Sequence, residues 1–210
     1  GHPLDPHRAE LRALTDGATL ANLEALWRAG RPQRGEQRFR SETTVILAGM
    51  IGPIRRRGDS QAFVRLEDGL GQLEVAFFGE AFTDNAALLG SGRIILVEGG
   101  LREDEFSGGF SLRASRVWDY AQLCAQQARR LALTVDLRHP GALPRVEQEL
   151  AACRPGTTPI RLRLRLPGCC GELDIDGAQA VRIEPALLGK LRALPGVSEV
   201  EVSLKRPTAA

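Results

Sequence analysis

The sequence predicts a small five-stranded Greek-key β-barrel followed by a small α+β domain, with short helices ahead of the barrel. Three observations lead there. Between residues 42 and 120, five β-branched or apolar runs are separated by turn residues, with a helix-like interval between the third and fourth. From residue 131 onward, strand-like and helix-like segments alternate and end on a strand. Before residue 42, leucines recur at helical spacing. The expected divisions are residues 1–41 (helices and a linker), 42–120 (barrel), 121–130 (connector) and 131–210 (α+β domain).

Taken in order, Asp5 and Pro6 suit an N-cap and first helical position, which predicts a short helix over residues 7–14. Leu20, Leu23, Leu26 and Trp27 predict a second. Residues 28–40 are polar and arginine-rich with Gly30, Pro32 and Gly35, and read as a linker able to add positive charge beside the barrel. The first barrel strand covers residues 43–51, and Arg55, Arg56, Arg57 and Gly58 read as a basic turn after it. Residues 61–66 and 73–78 alternate around an Asp68-Gly69 turn, the pattern of a β-hairpin. A helix is expected over residues 79–89. Strands follow over 93–101 and 110–120, joined by a loop over 103–109. Beyond a polar, helix-prone connector come a strand at 131–135, a helix at 143–153, and a strictly alternating strand at 160–166. One or two short strands within 172–183, a helix over 184–194 and a strand over 197–204 complete the chain.

Five strands with a helix between the third and fourth is the order of an OB-fold, which binds oligonucleotides across strands 2 and 3 between the 1–2 and 4–5 loops. The arginines Arg55, Arg56 and Arg57 fall on the expected 1–2 loop, and Phe106 falls among glycines on the 4–5 loop. Alternation directs Ala62, Val64 and Leu66 inward and leaves Phe63 and Arg65 outside; Leu73, Val75 and Phe77 point inward and leave Phe78 outside. Outward aromatic rings can stack single-stranded bases at about 1–3 kcal/mol each, and arginines bind phosphate with salt-sensitive affinity. The competing reading is that flanking helices cap Phe63 and Phe78. In the tail, alternation brings Arg161, Arg163 and Arg165 out on one face, either a solvated sheet surface or a surface for an acidic partner.

Composition narrows the functional classes. A net charge of +2 requires any nucleic-acid affinity to come from local patches. Lys190 and Lys205 are the only lysines, so the basic side is arginine, which a GC-rich genome would also produce. No apolar run reaches the length of a membrane span, and no signal-peptide pattern opens the chain. It lacks an initiator Met and reads as a piece of a longer protein. Cys124, Cys153, Cys169 and Cys170 have no C-x-x-C spacing, so reduced thiols in a cytoplasmic protein are the simplest reading, with no metal site. His2, His7 and His139 read as exposed loop residues. Asp174-Ile175-Asp176-Gly177 lacks the rest of a calcium loop, and Glu103-Asp104-Glu105 reads as solvated. Without a phosphate loop, nucleophile elbow or zinc set, no catalytic residue and no cofactor is assigned.

Gly1-His2-Pro3-Leu4, then Leu66-Glu67-Asp68 with Gly71-Gln72-Leu73-Glu74-Val75, then Phe106-Ser107-Gly108-Gly109 resemble the C-terminal part of the bacterial DNA polymerase III α subunit family, the replicative C-family polymerases. The order and length of the tail match as well, so the resemblance covers essentially the whole chain. It implies that the catalytic carboxylates, the PHP domain and the main sliding-clamp motif lie upstream, leaving this segment neither polymerase nor nuclease. It also implies an OB-fold near single-stranded template DNA and a tail that docks the clamp-loader τ subunit. Other replisome subunits would be reached through the rest of the polymerase. Error-prone relatives usually lack that tail. No tail residue can be assigned to τ from the resemblance. The alternative is a free-standing OB-fold protein binding single-stranded DNA or RNA, including an anticodon-binding-like module; an enzyme would require a metal or cofactor with no visible site.

Overall fold

The computed structural model describes residues 1–30, 42–104 and 108–207. Most of the expected linker, and Phe106, lie outside these residues. The chain forms two compact units, Gly1–Tyr120 and Ala121–Ala210.

The first unit is a closed barrel in the order β1-β2-β3-β5-β4. Its strands are β1 (Thr43–Arg57), β2 (Gln61–Glu67), β3 (Gln72–Phe78), β4 (Ile94–Asp104) and β5 (Gly109–Asp119). Neighbours pair antiparallel except β3 and β5, which close the barrel through three parallel pairs, Glu74–Ser111, Val75–Leu112 and Ala76–Arg113. Strand alternation fills the interior. Val64, Leu66, Val75, Phe77, Val97 and Leu112 are fully buried there.

Two expectations change here. The arginines do not form a turn: β1 continues through them, and only residues 58–60 turn. Gly52 and Pro53 sit where the β1–β2 register shifts, between Ile51 and Ile54. A proline's missing N–H is tolerated at such a bulge, so the strand resumes beyond it. The helix expected over residues 79–89 is one turn, α3 (Glu80–Thr83). After it the Asn85 side-chain amide donates to the Ala81 carbonyl at 2.9 Å, and the chain proceeds in turns that still bury Phe82 and Leu89.

Ahead of the barrel, a single 3-10 turn at Asp5–His7 leads into α1 (Arg8–Leu14), followed by α2 (Leu23–Ala29). Asp5 is within that turn rather than its N-cap. Its carboxylate accepts from the His2 N–H at 2.7 Å and from Arg8 Nε at 2.9 Å, and the Arg8 hydrogen bond holds the carboxyl below its usual range. His7, expected in an exposed loop, is buried with its ring 5.3 Å from that of Tyr120. Asp68 ties this segment to the β2–β3 turn. It is 6% exposed, and its carboxylate accepts from the backbone N–H groups of Leu20, Leu70 and Gly71, each at 2.8 Å. A Cβ on Gly71 would come within 2.9 Å of the Leu20 carbonyl oxygen, so only glycine permits the approach.

The second unit begins in α4 (Tyr120–Gln127), where a helix-prone connector was expected. It runs directly into β6 (Ala128–Asp136). Its sheet has the order β8-β7-β6-β9, with β7 (Ile160–Leu166), β8 (Cys169–Ile175) and β9 (Val197–Leu204). β6 and β7 are parallel, and α5 (Ala142–Ala151) makes the crossover that parallel neighbours require. α6 (Pro185–Ala193) precedes β9, and Leu131, Leu133, Val146, Leu150, Ile160, Leu187, Leu188 and Leu191 are buried. Among the described residues no helix is long and apolar enough to cross a membrane.

The Asp68 contacts yield a stability prediction. Replacing Asp68 with Ala leaves three backbone donors without their carboxylate, and losses of this kind run to about 1–3 kcal/mol per buried group. Urea unfolding followed by tryptophan fluorescence reports the first unit, since Trp27 and Trp118 are the only tryptophans. Asp68→Ala is expected to lower stability by roughly 2–4 kcal/mol. A midpoint equal to that of the parent would remove Asp68 as the tether.

Candidate nucleic-acid interface

Alternation on β2 and β3 puts Phe63 and Phe78 on the barrel's outer surface, half-buried, as the sequence predicts. Their rings meet edge to face, with centroids 5.8 Å apart and planes at 87°. Three guanidinium groups lie over these rings. Arg57 is 5.5 Å and Arg55 5.8 Å from the Phe63 centroid, and Arg113 is 6.0 Å from that of Phe78.

Strand pairing explains the assembly. Residues opposite one another across a ladder share a face. The pairs Arg55–Phe63, Phe63–Ala76, Ala76–Arg113, Arg113–Gly100 and Gly100–Thr44 make one row around the outside of the barrel. The row beside it runs Arg57–Gln61–Phe78, and on the other side runs Arg65–Glu74–Ser111. Arg65 is exposed opposite Glu74, and the Glu74 carboxylate also pairs with Arg55. With side chains 65% and 48% exposed, that ion pair is of the weak, exchangeable kind.

Arg56 does not join the patch. Its partner on β2 is the inward-facing Ala62, and its guanidinium lies 5.9 Å from the Phe82 ring. A loop would have let three consecutive arginines gather, whereas a strand sends the middle one to the opposite face. Arg113 is the residue that sequence reasoning missed. Its signal was available, since Leu112 and Ala114 on either side are buried. What hid it was the parallel β3–β5 pairing, which brings distant segments together over three residues.

The tail arginines share a face of β7, as alternation requires, but carboxylates from neighbouring strands meet them. Arg161 binds Asp174 through Nε at 2.7 Å and Nη2 at 2.8 Å. Arg163 contacts Glu172 at 3.2 Å and Glu201 at 3.5 Å. Arg165 lies exposed near the strand end, opposite Cys170. The Arg161 hydrogen bonds hold the Asp174 carboxyl below its usual range and raise Arg161 further. Among the described residues no group of three or more His, Cys, Asp or Glu is placed to hold a metal ion.

A sequence profile described as an OB-fold nucleic acid binding domain matches residues 45–119. The chain is similar to DNA polymerase III subunit alpha of Xylella fastidiosa (strain Temecula1), with 47% identity over 215 residues, covering 99% of this chain and 18% of that protein. It is also similar to the Escherichia coli (strain K12) protein of the same name, with 28% identity over 96% of this chain and 17% of the relative. The chain thus spans less than a fifth of the length of the curated relatives it matches. Among solved structures, asparaginyl-tRNA synthetase from Pyrococcus horikoshii complexed with asparaginyl-adenylate is similar over 39% of this chain and 20% of that one, with 24% identity and a TM-score of 0.34.

The Asp174–Arg161 pair predicts a pH effect. A carboxyl whose folded pKa is depressed stabilises the fold above its unfolded pKa and loses that contribution as pH falls through the folded value. Amide hydrogen exchange over residues 160–175 is therefore expected to accelerate on acidification below about pH 4, after correction for intrinsic rates. Asp174→Asn should exchange faster at neutral pH and respond less to acid. Identical acid profiles would show that the pair contributes nothing to local stability.

Proposed function

This chain is a homologue of a segment of the bacterial DNA polymerase III α subunit, and from that premise we propose that it is a non-catalytic C-terminal module of a replicative polymerase. In this reading its barrel holds single-stranded template DNA, and its second unit docks the clamp-loader τ subunit. Polymerisation belongs to the remainder of the full-length protein. The observation that carries the DNA-binding role is the Phe63–Phe78 pair flanked by Arg55, Arg57 and Arg113 on one outer face of an OB-fold barrel. Bases stack on the rings or on the guanidinium planes, and phosphates draw the arginines off the rings. Arg65 adds charge in the next row, where a phosphate can compete with Glu74 for Arg55.

Nucleic-acid type separates this reading from a general OB-fold binder of RNA. Protein groups that reach the 2′-hydroxyl distinguish RNA from DNA, and the template role requires a preference for DNA. Fluorescence anisotropy at several salt concentrations with matched single-stranded DNA and RNA tests both points. Binding should weaken as salt rises, by about 0.7 log units per log unit of salt for each phosphate contact. Replacing Arg55, Arg57 and Arg113 with Ala together is expected to flatten the slope by roughly 2, while Arg56→Ala leaves it unchanged. Phe63→Ala should cost about 1–3 kcal/mol in affinity. A preference for RNA, or equal effects of Arg56→Ala and Arg55→Ala, would refute this arrangement.

The proposed τ contact rests on homology, since the alignment with the Xylella fastidiosa protein covers 99% of the chain and therefore most of the second unit. Arg161, Arg163 and Arg165 offer an acidic partner a stripe on which it must exchange existing ion pairs. Titration of the whole chain with τ by isothermal calorimetry should give a complex whose affinity falls on joint replacement of the three by Ala. Absence of a complex would remove the docking role. An undiminished affinity would move the contact elsewhere on the unit.

A further inference from the structure

The outer row that carries Arg55, Phe63 and Arg113 continues to Gly100 and Thr44, and there the surface changes character. It opens into a groove of about 650 Å³. Phe78 and Arg113 belong both to the aromatic patch and to this groove. The floor is backbone at Gly99 and Gly100. A Cβ on Gly100 would collide with the Glu42 carboxylate, and one on Gly99 with the Arg113 carbonyl, so larger residues at either position would fill the space. Glu42, Glu80 and Glu98 are among the lining residues, and the Glu42 carboxylate reaches the floor at Gly100. The groove is thus lined by one aromatic residue, one arginine and three acidic residues.

We propose that this groove is a base-selective pocket that takes one unpaired guanine from a strand lying on the adjacent aromatic face. The inference rests on the single-stranded DNA reading above and names a specificity within it. Ionised carboxylates only accept hydrogen bonds. Guanine presents N1–H and N2–H side by side on its Watson–Crick edge, two donors that one carboxylate can accept together. Cytosine and adenine offer a single amine. Thymine offers one N–H between two carbonyl oxygens, which the carboxylates repel. Negative charge in the groove also excludes the sugar-phosphate chain, which stays on the side of Arg113, Arg55 and Arg57. The guanine ring packs against Phe78.

Anisotropy titrations with the whole chain compare a labelled oligothymidylate with the same oligomer carrying one central guanine. The guanine is expected to raise affinity about tenfold, the scale of one well-formed bidentate contact. A 1-methylguanine at the same position removes the N1–H and should abolish the gain without any change to the protein. Glu42→Gln, Glu80→Gln and Glu98→Gln should each shrink or leave unchanged the ratio between the two oligomers, and the triple variant should bring it close to one. Equal affinity for both oligomers in the parent chain would overturn the pocket while leaving salt-dependent DNA binding intact. A preference that survives the triple variant, or survives methylation, would also overturn it. Absence of binding to either oligomer at low salt would remove the DNA reading itself, and the pocket with it.

Discussion

Three parallel residue pairs close the barrel, and they complete the candidate interface. Glu74, Val75 and Ala76 on β3 meet Ser111, Leu112 and Arg113 on β5. The middle pair faces inward, so closing the sheet brings fully buried Leu112 beside fully buried Val75. That apolar contact favours closure, since burial of a leucine or valine side chain contributes about 1.5–3 kcal/mol. The outer pairs follow without choice, because a shift of one residue would exchange the two faces. Arg113 therefore arrives beside the Phe78 ring as a consequence of core packing. A register that suited the surface but placed Leu112 in solvent would not survive.

The residues that carry the polymerase resemblance most visibly have a different physical task. Asp68 and Gly71 hold the β2–β3 turn against the N-terminal segment, the first through three backbone hydrogen bonds and the second by having no side chain. Leu66, Leu73 and Val75 fill the barrel. Only Glu74, exposed and paired with Arg55, touches the candidate interface. Most of this motif thus holds the fold. It does not thereby mark a binding residue.

What could be read in advance follows the reach of each signal along the chain. The alternation in residues 61–66 and 73–78 is local, and it placed Phe63, Phe78 and the interior side chains correctly. Residues 160–166 and 197–204 were legible for the same reason, and β7 and β9 have those bounds. Gly52-Pro53 misled because local chemistry there resembles a strand end, while the bulge that accommodates the proline depends on pairing with β2. Arg56 was misplaced with it. His7 was misread because its neighbours are prolines and chain terminus, whereas its burial against Tyr120 joins residues more than a hundred positions apart. The outward direction of Arg113 is local, set by Leu112 and Ala114, but its place beside Phe78 depends on β3 meeting β5. The candidate site was half legible: its aromatic residues are local facts, and the arrangement of its cations is a topological one.

The two arginine stripes show why composition alone cannot locate a binding surface. Both lie on outer faces of sheets, and both are exposed enough to be screened by salt. On the barrel, Arg55 has Glu74, while Arg57 and Arg113 lie over aromatic rings, contacts worth about 0.5–1 kcal/mol at exposed sites. A phosphate can displace such a contact for a charge-assisted hydrogen bond, and the vacated ring can accept a base. In the tail, Arg161 and Arg163 already make hydrogen bonds to Asp174 and Glu172. A new anion there must first separate existing opposite charges, and the carboxylates left behind would repel it. A count of arginines therefore does not predict anion affinity, which depends on what each guanidinium must leave.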